Sequence, residues 1–218
     1  MTVTLTETTA PPDTYITLSG IDWAGFEAIA RRTRGGRITY DRGELEIMSP
    51  GRRHENHRHA LADLILMLCR SLGMDLVAQG STTLHAGNEQ GRGIEPDESF
   101  VFDPAKLALV EALDEAGEAD MSRFPSPDLI IEIDMRRPTR DRLAVYETIG
   151  AVEVWEFDGK TVRILVQSLD GGYAASERSG HFPVRADRLG KFLATGLPVR
   201  FAARERKLKE FVAELLAK

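Results

Sequence analysis

The chain has 218 residues, 42% hydrophobic and 28% charged, which suits one well-buried globular core and leaves little room for a second. A formal net charge of −6 excludes a protein that coats nucleic acid by bulk charge, although clustered arginines leave a local basic cleft open. No run of about 18 apolar residues appears, so no membrane span is expected. The single cysteine, Cys69, excludes an intramolecular disulfide and a multi-cysteine zinc site, and a reducing cytoplasm is the expected compartment.

Residues 1–14 are rich in Thr and Pro and carry no basic residue ahead of an apolar stretch, so they read as a disordered arm rather than a secretory signal. Residues 15–218 then form a single domain. Trp23, Phe26, Ile29 and Ala30 at helical spacing predict a short helix over 21–32. Ile38 and Tyr40, then Leu45 and Ile47, alternate with polar residues around Asp41-Arg42-Gly43 and predict a β-hairpin. A long helix follows over 54–72, closed by Gly73, and residues 75–84 and 98–102 read as strands. The acidic stretch 103–124 reads as irregular with a short helical piece.

Residues 128–134 are the clearest strand, because the apolar run Leu129-Ile130-Ile131 suits a central strand covered on both faces. Residues 140–149 predict a helix closed by Gly150, and 152–157 and 161–166 a hairpin about Asp158-Gly159. Helices over 185–193 and 202–217 complete the chain. The fold class expected is α/β, a mixed β-sheet core with flanking helices.

Three carboxylate regions stand out. Side chains alternate along a strand, so Glu132 and Asp134 share a face opposite Ile131 and Ile133. Two acids at the end of a buried strand need neutralising, by arginine or by a hard divalent cation, and this segment alone admits either. Glu95-Pro96-Asp97-Glu98 leads into an apolar strand and sets Asp97 at its mouth, although Asp and Pro are also ordinary turn residues. Glu55, in the first turn of the long helix, extends the buried stripe of Ala62, Leu66 and Cys69; the helix dipole alone would also favour an acid there. His54 and Gln79 are candidate auxiliaries.

The ordered blocks from Arg37 to Pro50, His54-Glu55, Gly80-Ser81-Thr82-Thr83, Glu95-Pro96-Asp97-Glu98, Pro127 to Asp134 and Val152-Glu153-Val154-Trp155 resemble the Uma-two family, with Phe182-Pro183 fitting the family's tail. That family is placed among the restriction-endonuclease-like PD-(D/E)XK nucleases. The resemblance implies a Mg2+- or Mn2+-dependent endonuclease cutting DNA phosphodiesters, with no membrane partner and with a homodimer admitted. By position the metal ligands fall on Glu55, Asp97 and Glu132, with Asp134 as a further or alternative ligand.

One departure concerns the superfamily lysine. Two residues after the strand acid stands Asp134, and the alternative position in many relatives, four residues before Tyr146, holds Arg142. Arginine can stabilise a developing negative charge but stays protonated, so Arg142 cannot serve as a general base. Water activation would then fall to the metal. The missing lysine also keeps open a catalytically inactive nuclease fold that binds nucleic acid, and fold alone admits a hydrolase of some other substrate. For a chain of this charge to hold DNA, a basic rim is expected from Arg136, Arg137 and Arg140, helped by Arg52 and Arg53.

Overall fold

The computed structural model describes residues 13–33, 35–87, 91–135 and 142–217. Strand β1 (Thr14–Ser19) leads to helix α1 (Trp23–Ala30), whose Asp22 accepts the Gly25 N–H at 2.8 Å as an N-cap. The hairpin β2 (Arg37–Asp41) and β3 (Glu44–Ser49) follows. Arg42 and Gly43 turn it with φ of 48° and 96°, and two positive φ values give the twist that a two-residue hairpin needs. β1 was not foreseen. It pairs with β3 from Thr14 opposite Ser49, and Asp13 accepts the Gly51 N–H at 2.7 Å. Thr14, at the end of the expected arm, is thus in the sheet, with Asp13 fixed beside it; residues 1–12 of that arm lie outside the described residues.

Helix α2 (Arg52–Leu72) ends as expected at Gly73, whose φ of 66° suits glycine. The single strand expected over 75–84 is instead two short ones, β4 (Val77–Ala78) and β5 (Leu84–His85), which join different sheets. Gly80, at φ 60°, turns the chain between them. β6 (Arg92–Ile94) and β7 (Glu98–Val101) follow. The stretch expected to be irregular with a short helical piece contains a longer helix of twelve residues, α3 (Pro104–Glu115), capped by Asp103 on the Ala105 and Lys106 N–H groups. Only Val110 of it is buried, so it carried little hydrophobic periodicity to read.

The rest runs β8 (Leu129–Ile133), α4 (Leu143–Ile149), β9 (Glu153–Phe157), β10 (Val162–Gln167), β11 (Tyr173–Ser176), α5 (Ala186–Ala194) and α6 (Phe201–Leu216). The larger sheet has the order β11-β10-β9-β8-β7-β4. Its one parallel pair, β8 with β9, is joined across α4, and its other pairs are antiparallel. The second sheet, β1-β3-β2-β6-β5, is antiparallel.

Alternation along β8 divides the core. Leu129, Ile131 and Ile133 face α2, α5 and α6, while Ile130 faces α4 with Val145, Tyr146 and Leu84. Both faces of β8 are thus covered, as its apolar run requires. Phe26 of α1 packs on Ile38, Tyr40 and Leu45 of the second sheet. The fold is the expected mixed α/β class. Among the described residues, no helix is long and apolar enough to cross a membrane.

Asp128, at the mouth of β8, is buried and accepts the Phe102 and Asp103 N–H groups, each at 2.8 Å, while Lys106 Nζ lies 2.6 Å from its other oxygen. Burial opposes its ionisation, but these donors hold its carboxyl below the usual range. Asp128→Ala would strand the donors, so chemical denaturation should show a loss of about 2–4 kcal/mol in stability.

Candidate functional site

Strand register brings two acids together. β7 pairs antiparallel with β8, with Glu98 opposite Ile131. Continuing that register one step sets Asp97 opposite Glu132, and opposed residues have Cβ atoms about 4.5–5.5 Å apart on one face. Both acids are buried. Asp97 Oδ2 accepts the Ile133 N–H at 2.8 Å, which locks its side chain against the backbone beside Glu132.

Cations from three further elements close on the pair. His54, in the first turn of α2, places Nε2 3.0 Å from Asp97 Oδ2, and Arg37 of β2 places Nε 3.3 Å from Oδ1. Arg142, just before α4, donates from Nη1 to Glu132 Oε2 at 2.6 Å, and the Tyr146 hydroxyl donates to Oε1. Tyr146 lies one turn beyond Arg142, so a single helix start presents both. Arg142 Nη2 also lies 3.5 Å from Glu46 Oε1.

Glu55 is linked to this cluster but more open, its side chain 30% exposed. Its oxygens meet Arg58 Nε at 2.9 Å, Arg37 Nη2 at 3.5 Å and His54 Nδ1 at 3.6 Å. Arg58 also donates to Glu98. Glu55 and Asp97 therefore share Arg37 and His54, and Asp97 is joined to the Glu132 segment through Ile133. Asp134 is half-buried at the end of β8. Gln79 has a buried Oε1 without a hydrogen bond among the described residues.

The charges respond to burial and to these partners. Burial pushes the Glu132 carboxyl up to about 7, against the pull of Arg142, and the Asp134 carboxyl up to about 6 for the same reason. Burial disfavours the charged form of His54, yet Asp97 and Glu55 outweigh it and raise the imidazole to about 10, so it is an imidazolium at neutral pH. Contact with His54, then with Arg58, lowers Glu55 to about 2 against burial.

A cofactor would need oxygen donors free to bind it. Among the described residues no three acid, His or Cys side chains stand together as a formed set of metal ligands; arginine and imidazolium occupy the spaces between the carboxylates. Asp97 Oδ1 and Asp134 Oδ1 are nevertheless buried without a hydrogen bond among the described residues. With burial holding Glu132 and Asp134 back from ionising, added positive charge beside them would favour their charged forms. Hard carboxylate oxygens of this kind suit Mg2+ or Mn2+.

Sequence reasoning missed Glu46 and gave Arg37 only a place in a basic cluster. Glu46 sits between two apolar residues of β3 and reads as the solvent side of a hairpin, but it is 1% exposed and meets Arg142. Of the expected basic rim, Arg136, Arg137 and Arg140 lie outside the described residues, while Arg52 and Arg53 are exposed at the start of α2.

A family model described as "Putative restriction endonuclease" (Uma2) matches residues 23–199. The chain belongs to the Uma2 family. A solved structure described as "a putative nuclease belonging to DUF820 from Anabaena variabilis" is similar at 16% identity and a TM-score of 0.44, covering 78% of this chain and 90% of that one. No curated protein matches.

For this Uma2 member, two titrations have the same sign. The raised His54 value stabilises the fold fully below about pH 6.5, and that contribution is lost as pH rises toward 10. Ionising Glu132 becomes a cost as pH rises from its ordinary 4.5 through about 7. Urea midpoints should therefore fall steadily on the alkaline side, and His54→Gln should flatten the decline above pH 6.5 while sparing the part below it.

Proposed function

We propose that this chain is a nuclease hydrolysing DNA phosphodiester bonds, with Asp97 and Glu132 as the central ligands of a divalent cation, Glu55 at its open side and Asp134 as a further ligand. The observation that carries this reading is the burial of Asp97 opposite Glu132, held by the Ile133 N–H and facing Arg142 and His54. Two acids buried against each other cost stability, and a site for a cation on a polyanionic substrate gives the expense a purpose.

A bound divalent cation supplies Lewis acidity to a phosphoryl group and to the attacking water. The chain's own residues supply the rest. Ile133 and His54 hold Asp97 at a fixed angle, and His54, charged at neutral pH, also favours the ionised form of Glu55. Arg142 stands where it can pair with Glu132 at rest and exchange that partner for the negative charge developing on the phosphoryl oxygens. The Tyr146 hydroxyl restrains Glu132 during the exchange. Arg142 supplies no neutral amine, because it keeps its proton: burial opposes its charge, but Glu132 and the other acids around it outweigh burial and raise its proton affinity further.

A second reading follows from the same contacts. Both Glu132 oxygens have partners, so a chain in which Arg142 never lets go would bind nucleic acid without cutting it. Supercoiled plasmid incubated with and without Mg2+ or Mn2+ separates the two. Nicking that needs the metal and is lost in Glu132→Ala supports the enzyme; binding with no nicking in any metal supports the binding module.

Arg142 itself gives a sharper test. Arg142→Ala leaves Glu132 buried without its cation and should cost about 3–5 kcal/mol in stability, so lost activity would be hard to interpret. Arg142→Lys keeps the charge and restores the lysine of the superfamily pattern. Its cleavage rate should match or exceed that of the parent chain. A fall of about a hundredfold with an unchanged melting temperature would instead assign catalysis to the bidentate guanidinium.

A further inference from the structure

The proposed substrate is a polyanion, yet the arginines of the acidic cleft are committed. Arg37, Arg58 and Arg142 each meet carboxylates. Something must offset the repulsion between a phosphate backbone and the buried acids. Immediately before His54 stands Arg53, which is exposed and has no ion pair among the described residues.

Arg53 lines a cavity of about 210 Å3 between the start of α2, the β9–β10 turn and the connection from α5 to α6. Its guanidinium lies over that turn, with Nη2 3.9 Å from where a side chain on Gly159 would begin. Asn56 and His57, one turn along α2, line the same cavity, and the His57 ring is fixed edge-on against Phe157 at 4.9 Å. Arg204 of α6 forms another wall, its Nε held by Asp63 at 2.9 Å. The lining thus sets two guanidinium groups, an amide and an imidazole, with Gly159 and Gly196, against an apolar wall of Leu193, Ala194, Leu197 and Pro198, and it includes no carboxylate.

We propose that this cavity is a phosphate subsite, which holds a backbone phosphate flanking the one at the acidic cleft. The proposal rests on the nuclease reading for its biological ligand, while the free Arg53 and the absence of a carboxylate from the lining favour an anion. Arg53 provides charge and directed donors, Asn56 a further donor, and the adjoining His54 ties the subsite rigidly to Asp97. Contacts of this kind position a strand without reading its bases.

Two probes separate this subsite from the nuclease reading. In metal-free buffer, calorimetry would follow pyrophosphate binding to the full chain, and anisotropy would follow labelled single-stranded and duplex oligonucleotides at several salt concentrations. Arg53→Ala should weaken pyrophosphate binding about tenfold and reduce the log–log salt slope for duplex by about 0.9. Arg52→Ala, outside the cavity, should change pyrophosphate binding less than about twofold, as a distant screened charge does. Circular dichroism melting would confirm that both variants fold. No pyrophosphate binding by the parent chain, equal binding by Arg53→Ala, or equal losses from Arg52→Ala and Arg53→Ala would overturn the subsite. Arg53-dependent pyrophosphate binding with no oligonucleotide bound would uphold the subsite and remove nucleic acid as the substrate. Metal-dependent cutting with an unaltered KM in Arg53→Ala would do the reverse.

Discussion

Buried negative charge is the constraint around which this molecule is arranged. Asp97 and Glu132 face each other at the edge of an apolar core, where isolated carboxylates would not stay ionised. Their neutralisation comes from elements distant in sequence: Arg37 from the second sheet, His54 from the long helix and Arg142 from the crossover between the parallel strands. Each contact ties an element to the strand pair β7–β8. The cluster therefore acts as a junction between the two sheets, α2 and α4 as well as a candidate site for chemistry.

That double duty explains why the acids have unlike character. Glu55 remains partly open and its carboxyl lies far below the usual range, so it is always ionised near neutrality. Glu132 is buried and resists ionisation, which makes it the group most sensitive to a change in nearby positive charge. A site built from one permanently charged acid and one poised acid can respond to the arrival of a cation or a phosphate. Well-solvated acids on a surface could not, because water would screen the difference.

The chain also uses one dipeptide for two purposes. Pro96-Asp97 and Pro127-Asp128 each introduce a strand of the same antiparallel pair, and they look equivalent when read along the chain. Asp97 turns its oxygens toward His54, Arg37 and the Ile133 N–H, at the centre of the charged cluster. Asp128 caps the Phe102 and Asp103 N–H groups and holds Lys106, which anchors the start of α3. The two strands run in opposite directions, so their mouths lie at opposite ends of the pair.

Much of the fold was legible because it is written in local physics. Two periodicities, apolar runs, the Arg42-Gly43 turn and the glycine stops after α2 and α4 determined the main helices, the hairpins and the buried strand β8. Strand alternation likewise put Glu132 opposite in direction to Ile131 and Ile133. The strands β1, β6 and β11 escaped because their pairing, and not their composition, makes them strands. Which acids meet was a matter of register: one residue of slip in β7 against β8 would move Asp97 away from Glu132. Glu46 and Arg37 entered the site only through packing of the second sheet against Arg142, His54 and Glu55, contacts across tens of residues that no local pattern encodes. The sequence determined the supply of carboxylates and arginines, and tertiary structure decided their pairing, because charge neutralisation depends on distance in space and not on spacing along the chain.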